Sequence, residues 1–143
     1  MQWNNKYIYP KSTRSIVDGS RHYSVNEERL PSVTTILKAT ESEEKKASLQ
    51  AWKQRVGHKQ AEIITREASS RGSSMHEYLE KFLLGKLNLD LLGDNTKERM
   101  MADQIIDNGL RNKLDEIWGC EATLYYPGKY AGAADCVGIY ENK

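Results

Sequence analysis

The spacing of apolar and polar positions divides the chain into a strand-like start, a helical middle and a strand-like end. Over WNNKYIYP (3–10) and RHYSVN (21–26) aromatic and polar residues alternate, and Pro10 and Asp18-Gly19 interrupt them. This stretch predicts a small hairpin. RLPSVTTILKAT (29–40) changes period: Pro31 and Ser32 are start signals, Ser32 suits an N-cap, and Val33, Ile36 and Leu37 carry the spacing of a short helix. From Ser42 to about Leu84 the period stays helical. Ala47, Leu49, Trp52 and Val56 share one side of a first helix, opposite Glu43, Glu44, Lys45, Lys46 and Lys53, and Gly57 marks its end. A second helix starts near His58 with Ala61, Ile64 and Ala68. SSRGSS (69–74) interrupts or merely weakens it, Met75, Leu79, Phe82 and Leu83 resume the apolar stripe, and Gly85 closes it. LNLDLLGDN (87–95) reads as a loop. Its Asp94 or Asn95 caps a last helix from Thr96 to about Ile117, with Met100, Ile105, Ile106, Leu110 and Leu114 inward.

The texture then turns to strand. CEATLYYPG (120–128) alternates, with Cys120, Ala122, Leu124 and Tyr126 on one face and Glu121, Thr123 and Tyr125 on the other. Pro127-Gly128 is a turn, KYAGAADCVGIY (129–140) a second strand, and Glu141-Asn142 the start of another turn. The expected fold class is α/β in the α+β sense. Residues 1–30 form a small β element, 31–117 a helical block, and 118–143 the first strands of a mixed central sheet that is left incomplete. A length of 143 residues suits one domain.

Charge adds an asymmetry that the net value of +1 hides: eleven Lys and Arg stand against six Asp and Glu before residue 61, and ten against fourteen after it. A polyanion held beside an acidic, metal-seeking centre would use such a split, and so would ordinary solvated helix faces. Cys120 and Cys136 fall on neighbouring expected strands, so a disulfide and a pair of buried free thiols are both open readings. Two cysteines without a CxxC exclude the usual zinc site. No apolar run reads as a signal peptide or membrane span, so a cytoplasmic protein without a membrane partner is expected.

Three stretches carry candidate chemistry. In RGSSMHEYLE (71–80) His76 and Glu80 are four apart and share a helix face, where they could ligate a divalent cation, orient one another, or form an exposed pair. In GAADCVG (132–138) Asp135 stands mid-strand among small residues. Acids are depleted in strands, so Asp135 binds a cation, accepts hydrogen bonds or faces water. In PSVTTIL (31–37) Ser32 and Thr34 sit at a helix start, which can hold a phosphate or simply cap the helix.

In series, LPSVTTIL, W-x-x-R-V-G (52–57), the run from Ala61 to Glu80 containing R-G-S-x-x-H-x-x-x-E, E-A-x-L-Y (121–125) and Y-A-G-x-A-D-x-V-G (130–138) resemble one family. The chain is similar over residues 28–143 to PD-(D/E)XK nucleases of the RecB-like branch, above all to the mitochondrial genome maintenance exonuclease group and its phage and bacterial relatives. The resemblance implies a restriction-endonuclease-like core and a metal-dependent DNA exonuclease. His76 and Asp135 would ligate Mg²⁺ or Mn²⁺ and Glu80 would stand nearby. The implied substrate is DNA, single-stranded or at ends, and the implied partners are replication or recombination proteins. Lys53, Arg55 and Arg71, with Lys45, Lys46, Lys59 and Trp52, are the candidate DNA contacts beside Ser32 and Thr34. The alternative is a non-catalytic module on the same scaffold that binds nucleic acid or a partner.

One part of the pattern departs. The family places a second acid and a lysine, as D/E-x-K, on the next strand, about a dozen residues past the first Asp. Here Glu141-Asn142-Lys143 follows Asp135 too closely to return beside it and fits a polar turn better. The sequence therefore reads as an N-terminal portion of such a nuclease domain, cut before the D/E-x-K strand and of marginal stability alone.

Overall fold

A computed structural model describes residues 1–86 and 96–143. The expected loop 87–95 and the Asp94 or Asn95 cap lie outside the described residues. The architecture is mixed α and β. Strands β1 (Gln2–Trp3), β2 (Ser12–Val17), β3 (Ser20–Val25) and β4 (Glu28–Pro31) precede helices α1 (Val33–Ala39), α2 (Glu43–Val56), α3 (His58–Leu83) and α4 (Lys97–Ile105). A π-helical turn, Ile106–Leu110, follows, then strands β5 (Leu114–Tyr126) and β6 (Tyr130–Tyr140). The strands form two three-stranded sheets, ordered β2-β3-β4 and β1-β5-β6.

The expected N-terminal hairpin is a three-stranded meander. Asp18 (φ 51°) and Gly19 (φ 77°) make its first turn, as the Asp-Gly pair predicts, and Asn26 (φ 48°) with Glu27 (φ 67°) make its second. The aromatic segment 3–10 is not one of its strands. Instead Gln2 and Trp3 pair in parallel with Glu116 and Ile117, and the Trp3 indole N–H donates to the Leu83 carbonyl at 2.9 Å. Local alternation could not reveal that partner, because it lies at the other end of the chain.

Helix boundaries follow local chemistry. The Ser32, Ser42 and Thr96 hydroxyls accept from Thr35, Lys45 and Arg99 backbone N–H, starting α1, α2 and α4. Gly57, at φ 89°, separates α2 from α3 as expected. α3 runs unbroken through SSRGSS, and Gly85 (φ 67°) ends it by donating to the Phe82 carbonyl. The last helix is shorter than its periodicity implied. It loosens into the π-turn, Asn112 turns left-handed at φ 62°, and Leu114–Ile117 join β5. Met100 and Ile105, expected inward, are exposed, while Ala102 and Ile106 are buried. α2 likewise buries none of its residues, and Leu49 is exposed.

Two small cores hold these pieces. Tyr23, Val25, Leu30 and Ala131, with Tyr125 against them, join the meander to one face of the β5–β6 hairpin. Leu83, Leu114 and Ile117, backed by Phe82, Leu110 and Cys120, pin the end of α3 to β5. This second core brings α3 across the hairpin and so positions the site described next. The closing Glu141-Asn142 is the turn its sequence suggests. Both residues are left-handed (φ 46° and 65°), and Tyr140 and Lys143 exchange backbone hydrogen bonds of 3.0 Å across them.

Candidate functional site

α3 places His76 and Glu80 one turn apart, and β6 places Asp135 beneath them. The His76 Nδ1 lies 3.5 Å from Asp135 Oδ1, with both side chains at least half exposed. That separation is an ion pair when the imidazole is protonated and long for a hydrogen bond. The two residues singled out from distant stretches of sequence thus meet. Glu80 stands on the same face of α3 and is half buried.

A fourth member was missed by sequence reasoning. Glu121 interrupts the extended run of β5 with φ 50°, and its carboxyl lies close enough to Asp135 to share a hydrogen bond. Burial pushes the Glu121 carboxyl above its ordinary range. The negative charges of Asp135 and Glu80 and the hydrogen bond with Asp135 push it further, and His76 pulls it down. The signal was present in E-A-x-L-Y, but alternation alone put Glu121 on a strand face with Thr123 and Tyr125. A left-handed acid inside a strand is visible only in the backbone.

The same charges act on the thiols. Cys120 and Cys136 face one another across β5 and β6, and both are free. Burial, then Glu80, Cys136, Glu121 and Asp135, push the Cys120 thiol up to about 11, so it is protonated at neutral pH. Cys136 is exposed, so the pair is neither of the two open readings, a disulfide or two buried thiols.

The donor set suits a hard divalent cation: one imidazole and up to three carboxylates whose mutual repulsion a cation would relieve. Small neighbours at Gly132, Ala133 and Ala134 leave the approach to Asp135 open. Among the described residues, no three His, Cys, Asp or Glu side chains converge closely enough to hold a metal ion as they stand. The set therefore fits the ion in chemistry but not yet in geometry.

The remaining candidates divide. Lys53 lines a groove between α2 and α3 with His58, Glu62, Thr65, Arg66 and Ser69. Thr65, Ser69, Gly72, His76 and Glu80 follow the helical repeat, so the groove and the site share one stripe of α3. Arg55 is exposed on α2, and Arg71 lies about 140° around α3 from His76, so neither is brought to the site. Ser32 is corrected: it is 2 % exposed, and its hydroxyl serves Thr35 N–H and the Thr34 and Thr35 hydroxyls. It is a cap and not a phosphate site. Thr34 is exposed and lines a separate cleft with Arg21 and Tyr130. Glu141-Asn142-Lys143 begins six residues beyond Asp135, in the turn just past the end of β6 and about 20 Å away by strand rise, so this E-x-K does not join the site.

Among the described residues, no helix is long and apolar enough to cross a membrane. No protein-family model, curated protein or solved structure matches the chain, so the functional reading rests on its own residues and geometry.

Proposed function

We propose that this chain carries the metal-binding half of a PD-(D/E)XK-type site on a restriction-endonuclease-like scaffold. The activity is that of a Mg²⁺- or Mn²⁺-dependent deoxyribonuclease, acting exonucleolytically on single-stranded DNA or DNA ends. The observation that carries this reading is the meeting of His76 and Asp135, 3.5 Å apart, from two motifs far apart in sequence. Glu80 and Glu121 beside them support it.

His76 and Asp135 would hold the cation, with Glu80 and Glu121 adding negative charge around them, and the charge it would supply there is what hydrolysis of a phosphodiester calls for. Glu121, once deprotonated, can accept a hydrogen bond from a water approaching the phosphate. Lys53 of α2 and Arg66 of α3 line the groove beside this stripe, where they neutralise phosphates of a strand led toward the site.

A second reading, a nucleic-acid-binding or partner-binding module without cleavage, is favoured by the lack of three converged ligands among the described residues. Mn²⁺ titration and cleavage of end-labelled single-stranded DNA distinguish the two. On the nuclease reading the chain binds Mn²⁺ saturably, and His76→Ala and Asp135→Ala each lower that affinity by about tenfold or more. Any divalent-dependent cleavage is then lost in both. DNA binding that survives chelation, with no Mn²⁺ binding and no cleavage, selects the module. Absence of both metal and DNA binding rejects both readings.

A further inference from the structure

The β5–β6 hairpin exposes an aromatic surface that the metal-site residues do not use. Tyr126 and Tyr130 flank its turn, with ring centroids 5.9 Å apart and planes inclined by 27°, a stacked pair. They are 57 % and 42 % exposed, and Leu124 beside them is 49 % exposed. Large apolar side chains normally bury such area, so three together on one strand face are a binding surface by default. The pairing Leu124↔Gly132 and Tyr126↔Tyr130 keeps them on one face of the hairpin.

This surface lines a cleft of about 540 Å³ together with Arg21, Val33 and Thr34. Gly132 leaves its floor low: a Cβ there would meet Val33 Cγ2 at 3.4 Å. Charge selects the occupant. The cleft contains one cation, Arg21, two hydroxyl-bearing residues of α1 and its cap, and no acidic residue. The same tyrosines line a second recess with Ile36 and Lys129, again without an acid. A flat, weakly polar π-system joined to an anionic linker matches a pair of stacked aromatic rings flanked by cations. The cleft reaches along β6 as far as Gly132, Ala133 and Ala134, and Asp135 does not line it.

We propose that Tyr126, Tyr130 and Arg21 form a nucleobase-stacking subsite that holds a base of a single-stranded nucleic acid on the hairpin, about 17 Å along β6 from Asp135 by strand rise. Arg21 and Lys129 meet the adjoining phosphates. Stacking on tyrosine does not discriminate strongly among bases, so the subsite selects unpaired strands over duplex rather than one sequence over another. The inference rests on the nucleic-acid reading above and deepens it by naming the residues that would hold a base.

Binding measured in chelator, by fluorescence anisotropy, tests it independently of metal and cleavage. The probes are a short oligothymidylate and an abasic strand of equal length. The chain should bind the base-bearing strand more tightly. Tyr126→Ala and Tyr130→Ala should each lose about tenfold on that strand and little on the abasic one. Tyr126→Phe and Tyr130→Phe, which keep the ring, should stay within about twofold of the parent. Irradiation of the parent chain with an iodouracil-substituted strand should crosslink the peptide containing Tyr126 and Tyr130, which needs no variant to fold. Equal affinity for the two strands, or crosslinks confined to other peptides, overturns the subsite. Metal-dependent cleavage with base-blind binding would sink this inference alone. Base-selective binding without metal binding or cleavage would sink the nuclease reading alone.

Discussion

Glu121 shows how a single residue can be costly in the fold and useful in a site. Its left-handed backbone (φ 50°) is unfavourable for an acid inside a strand, and its carboxyl is crowded by Asp135 and Glu80. Because its folded pKa is raised, the folded state holds the Glu121 proton more tightly than the unfolded chain. Stability therefore falls as pH climbs from the ordinary carboxylate range through the folded value. Glu121→Gln should raise the melting temperature at neutral pH in chelator, and the gain should vanish in acid. The same substitution should shrink the stabilisation produced by added Mn²⁺. A melting temperature that is lower than the parent's in chelator, at every pH, would refute this account. Asp135 was legible from sequence because an acid is unusual mid-strand, and His76 because it shares a helix face with Glu80 within a motif that resembles a known family. Glu121 was not, because only its backbone angle and its neighbours distinguish it from an exposed strand acid.

The elements depend on a few positions where side chains are refused. β5 and β6 stay in register from Gly119↔Val137 to Tyr126↔Tyr130, but the pairing slips between Ile117 and Gly119 and again between Leu114 and Glu116. Gly138 lies opposite Ile117 at the first slip, and a Cβ there would collide with the carbonyl oxygen of Glu116. Gly138→Ala should therefore cost about 2 kcal/mol, read as a shift of the urea midpoint at unchanged slope. An unchanged midpoint would mean that the slip relaxes freely. Caps and turns were the most legible features at this scale: Ser32, Ser42, Asp18-Gly19, Gly57 and Gly85 act where their chemistry predicts. The last helix was misjudged because its apolar period continues into Leu114 and Ile117, which a strand partner claims instead. Helical and strand periods are hard to separate over a short apolar run.

At the scale of the molecule, the parts are joined by contacts between distant stretches. Glu116 receives the Trp118 indole N–H at 2.8 Å and the Asn4 amide at 3.2 Å, tying the N-terminal segment to β5. These two donors, Trp118 first, hold the Glu116 carboxyl below its ordinary range. A depressed folded pKa gives stability that is present above the ordinary carboxylate range and lost as pH falls through the folded value. Glu116→Gln should lower the melting temperature at neutral pH and flatten its decline in acid; an unaltered acid limb would show that this tie contributes nothing. The sequence by itself determined the local features: where helices begin, which glycines and asparagines turn the chain, and which aspartate is out of place in its strand. These follow from torsional preference and hydrogen bonding within a few residues, so local residues suffice. Only the tertiary structure decided that Trp3 pairs at β5, that the apolar sides of α2 and α4 are largely exposed, and that Glu121 joins His76, Glu80 and Asp135. Those outcomes depend on which surfaces meet after the chain has closed long loops, and no local pattern records the choice of partner.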